Sequence, residues 1–95
     1  MSVQATTAVW EHSESTGSAR LLLLAMANEA SSDGLLVAYK RSQSHLAARA
    51  KIAERSVRRL RDELVALGEL EVIYEGTGRQ SSDYRIVLPG LDERR

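Results

Sequence analysis

Residues 42–68 carry the densest pattern in the chain and read SQSHLAARAKIAERSVRRLRDELVALG. Their apolar positions predict two consecutive helices, over about residues 43–49 and 54–67, with a tight turn between them. Ser42 can cap the first helix, because its hydroxyl can accept a hydrogen bond from an orphan amide of the first turn. Gly68 can end the second helix, because glycine tolerates the positive φ of a helix terminus.

The second of these helices is predicted to have one apolar face and one cationic face. At 100° per residue, the apolar face holds Ala53, Val57, Leu60, Leu64 and Leu67. The opposite face holds Arg55, Arg58, Arg59 and Asp62, flanked by Arg61 and Glu54. Three arginines within two turns repel one another, so this face would destabilise an isolated helix. A groove lined with phosphates would remove that penalty.

Charge is unevenly distributed along the chain, although the formal net charge is zero. Residues 40–61 carry eight basic residues against one acid, a net of +7. Residues 1–39 have a net charge of −3, and residues 62–95 have a net charge of −4. A basic block between acidic ends predicts a localised anion-binding face, although an arginine-rich solvated helix face gives the same pattern.

Composition excludes several classes of site. The chain has 95 residues, of which 43% are hydrophobic and 27% charged, as expected for one small soluble domain. It contains no cysteine and two histidines, which argues against disulfides, a thiolate nucleophile and a metal centre. The sequence offers no catalytic triad or paired carboxylates, so we expect neither an enzyme nor a bound cofactor. The longest apolar run is too short to span a bilayer, so we expect a cytoplasmic protein without a membrane partner.

The remaining segments predict an arm, a core helix, three strands and a tail. Residues 1–17 are rich in serine and threonine and are expected to form an arm, with Trp10 packed back onto the domain. The other predicted elements are a helix over about 18–30 capped by Ser18, a brief strand at 35–37, and a hairpin with strands at about 70–75 and 84–88. Residues 89–95 are expected to form a tail.

The paired helices resemble the helix-turn-helix motif. The resemblance rests on small or apolar residues where the two helices cross and in the wedge between them: Leu46, Ala47, Ala50, Ile52, Val57 and Leu60. Over residues 18–88 the chain looks like a winged helix-turn-helix domain, similar to small actinobacterial and phage regulators and replication-initiator N-terminal domains. The stretches that carry this similarity to winged helix-turn-helix proteins are Arg20-Leu21-Leu22-Leu23-Leu24-Ala25, Asp33-Gly34, Ser42-Gln43, Ser56-Val57-Arg58-Arg59 and Leu67-Gly68.

The resemblance implies an α+β fold, with a three-helix core, a short strand and a C-terminal two-stranded β-hairpin wing. Three positions depart from the usual pattern. Lys51 stands where the tight turn usually has glycine. Ala53 stands where the recognition helix usually has a serine or threonine cap. Arg41 replaces a proline that often precedes the first helix of the pair.

The resemblance also implies that the second helix enters the major groove of double-stranded DNA, with its first two turns at the base edges. Arginine can donate two hydrogen bonds to the edge of guanine, and glutamate can accept a hydrogen bond from cytosine. The first helix would meet a phosphate at its amino end, and the hairpin loop would contact the minor groove or backbone. The DNA-binding positions so implied are Ser42, Gln43, Ser44, Arg49, Lys51, Glu54, Arg55, Ser56, Arg58, Arg59, Asp62, Arg79, Gln80 and Ser81, with Arg85 in support.

Two function classes stay open. The chain is expected either to bind duplex DNA, as a transcriptional regulator or a phage or plasmid replication or maintenance factor, or to be a winged-helix protein–protein interaction module. The basic block favours DNA binding, for which four to six neutralised phosphates predict a log–log salt slope of about −4 to −5. One such module buries only about 600–1,000 Å² on DNA, so specificity would need a homodimer or a cooperative array. The arm or the wing edge could contact such a second copy or a further protein partner.

Overall fold

The computed structural model describes residues 3–31, 34–36, 43–74, 83–89 and 91, with only the backbone described for residues 43–45 and 74. Over these residues the chain forms a small α+β domain with four α-helices and a three-stranded antiparallel sheet. The elements are α1 (Val3–His12), α2 (Gly17–Glu29), β1 (Leu35–Leu36), α3 (Gln43–Ala50), a 3₁₀ helix (Glu54–Ser56), α4 (Val57–Ala66), β2 (Leu70–Tyr74) and β3 (Asp83–Ile86). The predicted α+β class is confirmed.

Helix α2 lies at the centre of the domain and packs against α1, α3 and α4. Its side chains Leu22, Leu23 and Met26 are completely buried. The prediction that Ser18 caps the helix is wrong. The helix begins at Gly17, and Thr16, in extended backbone, takes the cap position without a side-chain capping hydrogen bond.

The predicted hairpin is present, and the short strand β1 extends it to a sheet of order β1–β3–β2. Tyr84 of the central strand pairs with Leu36 on one side and with Val72 on the other. Tyr84 and Ile86 point into the core, as their alternation predicts. Gly34 starts β1 with a φ of +87°, and a Cβ there would lie 2.6 Å from the Ile86 carbonyl oxygen.

The segment predicted to be an arm is instead largely helical and belongs to the core. Helix α1 buries Ala5, Ala8 and Val9, which join the same hydrophobic cluster as α2. Trp10 does not anchor the segment, because 65% of its surface is exposed. The spacing of the three small apolar residues, at i, i+3 and i+4, is the helical signal that the serine- and threonine-rich composition obscured.

The apolar face of α4 is shorter than predicted. Val57, Leu60 and Leu64 are buried, whereas Ala53 and Leu67 are exposed. Ala53 precedes the helix with extended backbone, and Leu67 follows its last residue, so neither continues the buried stripe. Among the described residues, no helix is long and apolar enough to cross a bilayer.

Candidate nucleic-acid interface

The turn between α3 and α4 is tight, as the helix-turn-helix resemblance implies. Ala47 of α3 is buried, and its carbonyl accepts a hydrogen bond from the Ile52 amide at 3.0 Å. Lys51 adopts a φ of +63°, the left-handed conformation that glycine reaches without steric cost. The position where the resemblance expects glycine is therefore the one where the backbone turns left-handed.

A single 3₁₀ turn, Glu54–Ser56, directly precedes α4, which begins at Val57. Ala53 occupies the N-cap of this turn, with no side chain able to cap, and Ser56 makes no capping hydrogen bond. The first amides of the helix are therefore not satisfied by these two side chains. Glu54 and Arg55 are exposed and Ser56 is half-buried.

Five cationic side chains stand exposed on α3, the turn and the first half of α4. We call this set the cationic face: Arg49, Lys51, Arg55, Arg58 and Arg59. On α4 these residues lie opposite the buried Val57 and Leu64, so the helix shows its core side to α2 and its charged side to solvent. Three exposed acids, Glu54, Asp62 and Glu63, accompany them and reduce the local net charge to +2.

Two members of the cationic face have carboxylate neighbours within the protein. The Arg59 guanidinium lies 3.0 Å from the Glu63 carboxylate one turn later, and both side chains are more than half exposed. The Arg49 guanidinium lies 3.9 Å from the carboxylate of Glu29 at the end of α2. The Arg59–Glu63 pair is exposed and contributes at most about 1 kcal/mol, so a phosphate can displace that carboxylate.

Arg61 does not belong to the cationic face. It is only 6% exposed, and its guanidinium donates a 3.4 Å hydrogen bond to the Tyr84 hydroxyl on β3. Its other terminal nitrogen lies 3.5 Å from the carboxylate of Asp62, whose side chain is exposed. The sequence contains the signal, because Arg61 follows Val57 by four residues and precedes Leu64 by three, which places it beside the buried face. The predicted anion-binding face therefore does not include every basic residue of the block 40–61.

The other predicted contact residues fall outside what the structure describes. Ser42 and the hairpin residues Arg79, Gln80 and Ser81 are not among the described residues. Gln43 and Ser44 form the first turn of α3, with only their backbone described. Arg85 lies on β3, half-buried and opposite Glu71 of β2.

The described residues do not bring together groups that suggest a metal centre. Within the part of the chain that the structure describes, no three histidine, aspartate or glutamate side chains are close enough to hold a metal ion. Comparisons with known protein families, with curated proteins and with solved structures gave no match.

Proposed function

We propose that this chain is a winged helix-turn-helix domain that binds double-stranded DNA, with the exposed side of α4 in the major groove. It would act as a binding protein, not an enzyme, in transcription regulation or in phage or plasmid replication or maintenance. The observation that carries the proposal is the cationic face, in which five exposed bases lie on α3, the tight turn, the 3₁₀ helix and α4.

The arrangement of the elements supports the same proposal. From α2 onward the order is helix, short strand, helix, helix and two antiparallel strands, as expected from the resemblance. Arg55 lies in the 3₁₀ turn that leads into α4, and Lys51 lies in the turn before it, so both cations stand near the start of this helix. The start of a helix and nearby cationic groups both favour a phosphate oxygen.

An alternative function is a protein–protein interaction module. The observation in its favour is that Glu54, Asp62 and Glu63 share the exposed side of α4 with the arginines. A partner protein with mixed charge would match such a surface, and its binding would depend only weakly on salt. Phosphate binding depends strongly on salt, so the two functions are separable by one titration.

The direct test compares the double variant Arg58→Ala/Arg59→Ala with a charge-matched control. The control, Gln4→Glu/Ser18→Glu, changes the net charge by the same amount at exposed positions on α1 and α2. Binding to a pool of random duplexes would be followed by fluorescence anisotropy at low salt. We expect the arginine variant to bind about 30-fold more weakly or worse, because two contacts to phosphate or base are lost.

The control is expected to bind like the wild type, because its new charges lie outside the cationic face. Circular dichroism should show that both variants keep the helical content of the wild type. Unchanged affinity in the arginine variant, or an equal loss in both variants, would contradict the proposed function.

A further inference from the structure

One acidic residue, Asp62, lies in the middle of the surface that we propose meets DNA. Successive residues of an α-helix are turned by about 100°, which places Asp62 about 40° from Arg58 on one side and about 60° from Arg59 on the other. Leu60 and Leu64, which are both buried, lie on the opposite side of α4. The exposed carboxylate of Asp62 therefore stands between the two arginines, on the side of the helix that faces away from the core.

The protein itself makes little use of this carboxylate. Among the described residues its ion-pair partner is the buried Arg61, at 3.5 Å, and 67% of the Asp62 side chain remains exposed. Arg58 precedes Asp62 by one turn, but a base before an acid is the less favourable order for a helical ion pair. Glu63 differs from Asp62, because its carboxylate lies 3.0 Å from the Arg59 guanidinium. Asp62 thus offers an accessible acceptor at the centre of the surface, whereas Glu63 is engaged by a neighbour.

A carboxylate at this position restricts which part of the DNA it can meet. The phosphates carry negative charge and would repel it, and so would the acceptor atoms of guanine and thymine in the major groove. The donors there are the amino groups of cytosine and adenine. The adenine amino group lies beside the acceptor N7, whereas cytosine presents a donor alone. Cytosine is therefore the base that suits an aspartate best.

The spacing along α4 indicates where this cytosine lies. Asp62 follows Arg58 by four residues, about 6 Å along the helix axis, which is slightly less than the rise of two base pairs. Arg58 is exposed and can donate two hydrogen bonds to the edge of a guanine. The base opposite Asp62 should therefore lie within about two base pairs of the base opposite Arg58.

We infer that Asp62 determines the sequence specificity of the proposed DNA binding, because it requires a cytosine within about two base pairs of a guanine that Arg58 contacts. This inference rests on the proposed function and names the kind of site that the domain selects. Its effect is mainly exclusion, since guanine or thymine in place of the cytosine would set an acceptor against the carboxylate. One wrong base pair at such a position lowers affinity by about 5- to 150-fold.

The test compares the sites that three proteins select from a pool of random duplexes: the wild type, Asp62→Asn and the control Glu63→Gln. Each substitution replaces one exposed carboxylate of α4 by an amide, so the net charge changes equally. The wild type is expected to enrich sites with one nearly invariant cytosine. Asp62→Asn should prefer adenine at that position, because an amide can donate to N7 and accept from the amino group. Glu63→Gln should keep the cytosine, because the Glu63 carboxylate contacts Arg59.

Fluorescence anisotropy then measures the preference with two duplexes, the selected site and the same site with adenine in place of that cytosine. The wild type should bind the cytosine duplex about 5- to 150-fold more tightly. Asp62→Asn should bind the adenine duplex more tightly. A reversed preference of this kind cannot result from misfolding.

The outcomes distinguish this inference from the proposed function. A wild type that binds no duplex would overturn both. A wild type that binds duplexes without selecting a cytosine, or an Asp62→Asn variant that selects the same base as the wild type, would overturn the inference while DNA binding stands. The same altered preference in Asp62→Asn and Glu63→Gln would also overturn it, because the loss of one negative charge would then explain the change.

Discussion

Lys51 links the backbone of the turn to the charge of the surface. Its φ of +63° is costly for a residue with a side chain, and the side chain is exposed on the cationic face. Glycine would remove the steric cost but would add conformational freedom to the unfolded chain. Stability and DNA binding should therefore respond to a change at this position in opposite directions.

We predict that Lys51→Gly raises the free energy of unfolding by about 0.5–1 kcal/mol, the difference between the two effects. The same variant should bind duplex DNA several-fold more weakly, because one phosphate contact is lost. Urea denaturation and anisotropy measure the two quantities. Lys51→Ala is the control, since it removes the charge but keeps the strain. A Lys51→Gly protein less stable than Lys51→Ala would contradict the left-handed turn.

Arg61 belongs to the basic block of the sequence but is buried and does not lie on the cationic face. We predict that Arg61→Met changes DNA affinity less than about threefold, because the buried guanidinium contacts Tyr84 and Asp62 and does not reach solvent. Arg61→Met removes the guanidinium that donates to the buried Tyr84 hydroxyl, so we expect the free energy of unfolding to fall by about 1–3 kcal/mol. Arg58→Met, on the exposed side of the same helix, should lower affinity by about 5- to 100-fold.

Anisotropy titrations of the two variants at the same salt concentration make this comparison. Similar losses of affinity in Arg61→Met and Arg58→Met would mean that only total charge matters. Such a result would contradict the division of α4 into a core side and a contact side.

At the scale of the elements, local patterns predicted α2, α3, α4 and the hairpin, because each has a continuous apolar stripe or alternation. Helix α1 was not predictable in the same way. Its core contacts are made by Ala5, Ala8 and Val9, which bury little surface each, while its largest apolar residue, Trp10, faces solvent. The roles of Arg20 and Glu69 could not be predicted either. Their partners are mostly backbone groups of residues 9–15, and such pairing depends on tertiary packing.

The hydrogen bonds by which Arg20 of α2 holds the end of α1, which we call the clamp, lead to a prediction at this scale. The Arg20 guanidinium donates hydrogen bonds to the carbonyl oxygens of Val9 and Trp10 at the end of α1 and to two more, of Ser13 and Ser15, in the connection to α2. Arg20→Met keeps much of the side-chain length but removes all four hydrogen bonds. We expect the free energy of unfolding to fall by about 1–3 kcal/mol, with hydrogen exchange accelerated mainly in Val3–His12. Arg55→Met, at an exposed position, should stay within about 0.5 kcal/mol of the wild type.

Urea denaturation measures the free energy of unfolding, and NMR measures the amide exchange rate of each residue in α1. If α1 exchanged as slowly in Arg20→Met as in the wild type, the clamp would not be what holds this helix on α2.

At the scale of the whole molecule, charge is separated although the chain is neutral. The cationic face has five bases and three neighbouring acids, so its net charge of +2 is smaller than the +7 of residues 40–61. We predict a log–log salt slope of about −3 to −5 for duplex binding, which corresponds to roughly three to six neutralised phosphates. Arg58→Ala should make the slope shallower by about one unit. A slope near zero would favour the protein-interaction alternative.

The central claim is that the exposed side of α3, the turn and α4 is the surface that meets DNA. At 10.5 kDa the protein is well suited to a ¹⁵N chemical-shift titration with a short duplex, which reports every backbone amide separately. We predict that the largest shifts fall within residues 43–62 and that the amides of α1 change little. Shifts concentrated on α1, or the absence of shifts within residues 43–62, would contradict the account.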